Sequence, residues 1–82
     1  MRATTHPGEV LREEFMKPLG LTPDLLTVAL RVDAALIHDL ALEKRAMTPD
    51  IALRLAMHFG TSAEFWTRLQ RQRDVQTHRE GI

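Results

Sequence analysis

Apolar residues recur along the chain at spacings of three and four, broken by proline, glycine and small polar residues, and never alternate with polar ones as a strand would require. The first such stretch opens at Pro7-Gly8, carries Val10, Leu11 and Phe15, and closes at Pro18 and Gly20. Thr22-Pro23 is a capping residue followed by a proline at the first helical position, and it starts a second helix that runs to about Leu30. Asp33 caps a third, from roughly Ala34 to Leu42. Thr48-Pro49 repeats the start signal for a fourth, whose stripe of Ala52, Leu55, Ala56 and Phe59 ends at Gly60. A fifth begins at Thr61 or Ser62, with Glu64 placed to close a capping box from Thr61, and carries Phe65, Trp66 and Leu69. From about Gln70 onward the apolar rhythm stops, which predicts a fraying helix end and a polar C-terminal tail. The pattern therefore predicts a single all-α domain over residues 1–82, a compact bundle of five helices with short connections.

Within that bundle the second and third helices form a recognisable pair. Leu26 and Leu30 share one face, Val32 fills the turn, and Ile37 and Leu40 line the inner face of the third helix. This is a helix-turn-helix spacing, and it holds the third helix outward where a DNA major groove would receive it.

Composition bounds what such a domain can be. Eighty-two residues build one small core, and small cores gain support from a second subunit, so a homodimer is expected. The absence of cysteine excludes disulfides and thiolate zinc sites. The apolar runs are far shorter than the roughly 20 residues that cross a bilayer, and the N-terminus lacks an apolar export segment, so no membrane association and a cytoplasmic location are expected. The net charge is zero and the pI about 6.9, short of the basic balance of many nucleic-acid-binding domains. Between Leu21 and Asp50 the cations Arg31, Lys44 and Arg45 face Asp24, Asp33, Asp39, Glu43 and Asp50, so any DNA affinity must come from local placement or from a dimer.

Catalysis is not indicated. His6, His38, His58 and His78 are scattered over separate elements without an H-E-x-x-H or a nucleophile elbow, and adjacent Glu13 and Glu14 diverge on a helix, so neither an enzyme nor a metal or cofactor site is expected.

Three signatures follow in order: His6-Pro7-Gly8-Glu9-Val10-Leu11-Arg12-Glu13-Glu14-Phe15, Lys44-Arg45-Ala46-Met47-Thr48-Pro49-Asp50-Ile51-Ala52-Leu53-Arg54-Leu55-Ala56, and Phe59-Gly60-Thr61-Ser62-Ala63-Glu64-Phe65-Trp66 with Leu69-Gln70. Together, from about His6 to Gln70, the chain resembles the HigA-type antitoxins of addiction modules, within the Xre/Cro-like helix-turn-helix proteins of lambda-repressor-like fold. The resemblance implies a dimer that binds double-stranded operator DNA as an autorepressor and neutralises a HigB-like toxin, an mRNA-cleaving ribonuclease of the RelE type. Such proteins usually have glycine or a small polar residue where Arg31 stands, alanine at Thr27, polar or basic residues at Ala34, Ala35 and Leu36, asparagine at His38 and glycine at Glu43.

In this architecture Ala34, Ala35, His38 and Asp39 are the groove-facing candidates, with alanine methyls suited to thymine methyls, His38 to a base edge or a phosphate, and Asp39 repelling phosphate. No arginine or lysine opens the third helix to make the bidentate guanine contact. Arg31, Lys44 and Arg45, with the helix-capping hydroxyls of Thr22 and Thr48, are candidates for the sugar-phosphate backbone. Phe65, Trp66 and Leu69 are read as a dimer seam or a closing core face, with one of the two adjacent aromatics, Phe65 for preference, entering the core and the other reaching the seam. Arg68, Arg71 and Arg73 make that end of the chain a poor match for a basic toxin on charge alone. An alternative keeps the bundle as a toxin-masking protein-interaction module with little or no sequence-specific DNA binding, and an orphan regulator without a toxin is a third.

Overall fold

The computed structural model describes the backbone of residues 5–80 and the side chains of residues 5–77. Helix α1 covers residues 7–19 in three pieces, an α-helical start Pro7–Val10, a π-helical segment Leu11–Met16 and a closing turn Lys17–Leu19, followed by α2 Pro23–Leu30, α3 Ala34–Ala41, α4 Pro49–Phe59 and α5 Ala63–Glu80. The all-α bundle of five helices read from the periodicity is the one observed, and α2 and α3 are the helix-turn-helix pair.

Each helix starts at a side chain that accepts a bond from an otherwise orphaned amide. Thr22 Oγ1 accepts from Leu25 N at 3.2 Å, Thr48 Oγ1 from Ile51 N at 3.3 Å and Ser62 Oγ from Phe65 N at 3.1 Å. Asp33 accepts from Ala35 N at 3.4 Å. At the start of α1 the acceptor is an imidazole: His6 Nδ1 takes the Gly8 amide at 2.8 Å. Ser62, not Thr61, is thus the cap of α5, and the expected Thr61–Glu64 box is replaced by two other pairs. Thr61 Oγ1 accepts from Trp66 Nε1 at 2.8 Å, and Glu64 pairs with Arg68 at 2.6 Å.

Helix ends follow a common design. Gly20 and Gly60 close α1 and α4 in left-handed backbone, at φ 67° and 76°. Arg31 and Glu43 occupy the equivalent positions after α2 and α3 at φ 58° and 63°, without being glycine. Behind each, the next amide reaches back to the last turn, Val32 N to Thr27 O at 3.3 Å and Lys44 N to Asp39 O at 2.8 Å. The π-helical segment of α1 precedes Pro18, whose ring would collide with the carbonyl four residues back in a regular α-helix. There the Lys17 amide bonds Arg12 O, five residues back.

The core gathers Val10, Leu11, Leu26, Leu30, Ile37, Leu40, Ile51, Leu55 and Trp66, with Phe15, Val32 and Phe59 packed against it. The inward set read for the helix-turn-helix, Leu26, Leu30, Ile37 and Leu40, is buried as expected. The two aromatics of α5 exchange their expected places. Trp66 is fully buried, in contact with Phe15 at 5.1 Å between ring centroids, whereas Phe65 is 37 % exposed. An indole with its N–H already paired to Thr61 can enter the core without an unsatisfied donor, and it fills more volume there than a phenyl ring.

Beyond Leu69 the chain does not fray as expected: α5 continues to Glu80. Arg, Gln and Glu are good helix formers, and no glycine or proline interrupts residues 61–80. Gln70, which opens the polar stretch, is buried, accepts from Met47 N at 2.7 Å through Oε1 and donates to Asp74 at 2.8 Å. His78 lies outside the described side chains.

The tightest approach in the bundle is backbone to backbone. A Cβ built on Gly8 would lie 1.8 Å from the Leu40 carbonyl oxygen, so only glycine lets the first turn of α1 rest on the last turn of α3. Gly8→Ala is expected to cost about 3 kcal/mol or more, since a backbone oxygen cannot move aside as a side chain can. The urea midpoint should fall accordingly, and an unchanged midpoint would show that the two turns separate freely.

Candidate nucleic-acid interface

The exposed face of the helix-turn-helix is built from three stations. The first is the turn itself. Arg31 is exposed at the left-handed end of α2, and Ala34 and Ala35 are exposed at the start of α3 behind the Asp33 cap. Beneath it, Arg54 on α4 donates to the Leu30 carbonyl at 2.9 Å while its Nε holds Asp50 at 3.1 Å. Arg54 thereby satisfies one orphan carbonyl of α2 and ties the turn to α4. Sequence reasoning misses Arg54. Its only signal there is an i, i+4 acid–base pair, which a solvated helix face shows equally well.

The second station joins Thr22 and His38 in one cleft with Pro23, Ala41 and Leu42. His38 is exposed, one turn after Ala34 on the same face of α3, but its Nε2 lies 3.1 Å from the Asp24 carboxylate at the start of α2. The histidine is therefore already partnered, and a contact to DNA must either break this pair or use the remaining ring nitrogen. That constraint follows from tertiary packing of α2 on α3, fourteen residues apart in sequence, and is invisible to periodicity.

The third station is the segment of residues 43–48 that leads from α3 into α4. Lys44 and Arg45 are exposed, and Thr48 is exposed while capping α4. Arg45 lies 3.9 Å from Asp39, a loose pair between half-exposed groups that is worth little in water. The segment is tied just before its start, at its start and near its end. Arg12 on α1 donates to the Ala41 carbonyl and reaches Glu43 at 3.5 Å. Lys44 N bonds Asp39 O, and Met47 N bonds the buried Gln70 on α5. A hydrogen bond from Arg12 to the exposed Glu13, with the neighbouring Glu43 charge adding to it, favours the charged guanidinium and moves its pKa further up. The guanidinium is thus a permanent positive charge at the C-terminal end of α3, where the helix dipole is negative.

Of the residues expected at a dimer seam, Trp66 has no exposed surface and Leu69 only 9 %, so both serve the protomer core and Phe65 alone of the three offers area to a partner. Among the described residues no three histidine, aspartate or glutamate side chains meet as metal ligands, and no helix is long and apolar enough to cross a membrane.

Arg31 holds a left-handed backbone that glycine reaches without the Cβ penalty, so Arg31→Gly is expected to raise stability by up to about 1 kcal/mol in a thermal melt. A fall in stability would mean that the arginine stem contributes more by packing beside Arg54 and Met57 than the left-handed backbone costs.

No protein-family model matches the chain. It is 44% identical over 70 residues to a virulence-associated protein I of Dichelobacter nodosus, covering 85% of this chain and 65% of that protein. The chain spans about two thirds of the length of the curated relatives it matches. Among solved structures, the antitoxin HigA of Pseudomonas aeruginosa with the higBA promoter superposes at a TM-score of 0.93 with 38% identity, over 95% of this chain and 85% of that one. The antitoxin GraA in complex with its operator superposes at 0.86 with 40% identity, over 94% and 77%. With the helix-turn-helix geometry and these relatives together, the chain belongs to the HigA-type family of helix-turn-helix antitoxins.

Proposed function

We propose that this protein is a cytoplasmic antitoxin that binds operator DNA as a dimeric autorepressor and neutralises a HigB-like, RelE-type mRNA-cleaving toxin, acting by binding and not by catalysis. The observation that carries the reading is the exposed start of α3 flanked by Arg31 on one side and by the rigidly held Lys44-Arg45 segment on the other, in a family whose solved members include proteins bound to promoter and operator DNA.

The division of labour follows from the residue types. Ala34 and Ala35 offer methyl contacts only, and His38 is tied to Asp24, so base readout on this face is sparse. Arg31, Lys44, Arg45 and the hydroxyl-capped starts of α2 and α4 at Thr22 and Thr48 supply positive charge and amide donors for phosphates. Affinity is then mostly electrostatic, and specificity rests on two half-sites of a dimer spaced by about one turn, roughly 34 Å, and on DNA shape. The second protomer supplies what a chain of zero net charge lacks, because pairing doubles the local cations over one duplex. Phe65 and the adjoining Arg68 and Gln72 of α5 form the surface we assign to that contact.

A fluorescence-anisotropy titration against the promoter of its own operon and a scrambled duplex tests this reading. Preference for the promoter supports it. Equal weak binding to both, with retained toxin binding, would establish the toxin-masking alternative instead. Lys44→Ala with Arg45→Ala should weaken binding to both duplexes alike and flatten the salt dependence by about one unit of log–log slope for each phosphate no longer neutralised. An unchanged slope would remove these two residues from the phosphate contacts.

Phe65→Glu should shift the species seen by light scattering at micromolar concentration from dimer to monomer, with the monomer still melting cooperatively because Trp66 and the rest of the core stay in place. A dimer that survives this change uses another face.

A further inference from the structure

We propose that His6 is the positioning residue that holds the segment of residues 43–46 in the conformation presenting Lys44 and Arg45 to a DNA backbone. The proposal rests on the phosphate role assigned to those two residues above.

His6 is 6 % exposed and lies directly before α1, far in sequence from the segment it touches. Its ring works at both edges. Nδ1 accepts the Gly8 amide at 2.8 Å and so caps α1. The other edge lies in the same cleft as Arg45, whose backbone is the ring's second hydrogen-bond partner. An imidazole that accepts at Nδ1 and donates at Nε2 is a neutral ring in one tautomer. It lines one cleft with Glu43, Lys44, Arg45 and Ala46 on one wall and Gln70, Arg73, Asp74 and Thr77 of α5 on the other. The ring is thus a strut between the first turn of α1 and the backbone of Arg45 itself. With Lys44 N on Asp39 O before it and Met47 N on Gln70 after it, the strut completes a set of ties that leaves the Lys44 and Arg45 side chains outside and their backbone fixed. A cation whose backbone is already ordered gives up less entropy on reaching a phosphate.

Protonation opposes this arrangement, because a hydrogen on Nδ1 would point at the Gly8 N–H. Burial, foremost, keeps the pKa of His6 below the ordinary imidazole value of about 6.5. Glu43, the Arg45 backbone and Asp74 pull it back up, and Arg73 adds to the lowering. Since the folded pKa is lowered, the stabilising contribution is complete above the unfolded value and disappears as pH falls from about 6.5 toward the folded value.

Two substitutions separate the two edges. Asparagine reproduces the acceptor at the Nδ1 position but is too short to reach Arg45. Glutamine reaches toward the Arg45 backbone with an amide donor but does not cap α1 as well. His6→Asn should remain folded at pH 7.5, lose the decline in stability that the wild type shows as pH falls below about 6.5, exchange the amides of Lys44, Arg45 and Ala46 several-fold faster, and bind promoter and scrambled duplexes several-fold more weakly. His6→Gln should melt lower but keep wild-type exchange at those amides and wild-type DNA affinity at a temperature where it is folded. Unchanged exchange in His6→Asn would overturn the strut. Faster exchange with unchanged DNA affinity would overturn its role in presentation. Failure of the underlying reading shows separately: Lys44→Ala with Arg45→Ala would then leave DNA affinity untouched, and the proposal falls with it.

Discussion

The close approach of Gly8 to the Leu40 carbonyl is the constraint on which the outward placement of α3 and of the segment after it depends. It brings the first turn of α1 onto the last turn of α3, and with it His6 and Arg12 come to lie beside the segment that follows that helix. Arg12 then answers the Ala41 carbonyl and Glu43, and His6 lines one cleft with Arg45. The last turn of a helix has carbonyls without intrahelical partners. Here the Asp39 and Leu40 carbonyls accept from Lys44 N and Glu43 N of the chain that follows, and the Ala41 carbonyl is met by Arg12 of α1, which ties the end of the outward helix to the core. The short motif His6-Pro7-Gly8 performs three tasks in three residues: cap, fixed dihedral and close contact.

The charge problem posed by a neutral chain is resolved locally. Several of the acids between Leu21 and Asp50 are engaged: Asp24 with His38, Asp39 with Arg45, Glu43 with Arg12 and Asp50 with Arg54. Asp33 commits its carboxylate to the α3 cap. Each of these acids has its field partly offset by the group it faces, and the exposed pairs exchange partners readily in water. Arg31 and Lys44 stand at opposite ends of the motif, the former beside the start of α3 and the latter just past its end. A surface of this kind binds a polyanion through position, not through net charge.

Legibility in the sequence follows the range of the interactions. Helix starts at Thr22, Asp33 and Thr48 and the buried faces of α2, α3 and α4 are local patterns of three or four residues, and the structure reproduces them. Arg31 and Glu43 stand where glycine is usual, and both adopt left-handed backbone. What escapes is set by contacts between distant segments. Gln70 reads as the first residue of a polar tail until Met47 is seen to need its carbonyl oxygen. Trp66 and Phe65 point in adjacent helical directions, and only the positions of Phe15 and Thr61 decide which ring is buried. Gly8 reads as a helix opener, while its real requirement comes from the Leu40 oxygen at the end of another helix. The same limit applies to His38, whose partner Asp24 lies on α2.

Ethylation interference on the promoter duplex measures the central claim most directly, because it reports which phosphates the protein needs. The account predicts that blocking two short phosphate tracts in each half-site abolishes binding, one beside the start of α2 and one facing the Lys44-Arg45 segment, with the half-sites repeating about one helical turn apart. Interference spread evenly along the duplex, or absent from the tract facing Lys44 and Arg45, would contradict it.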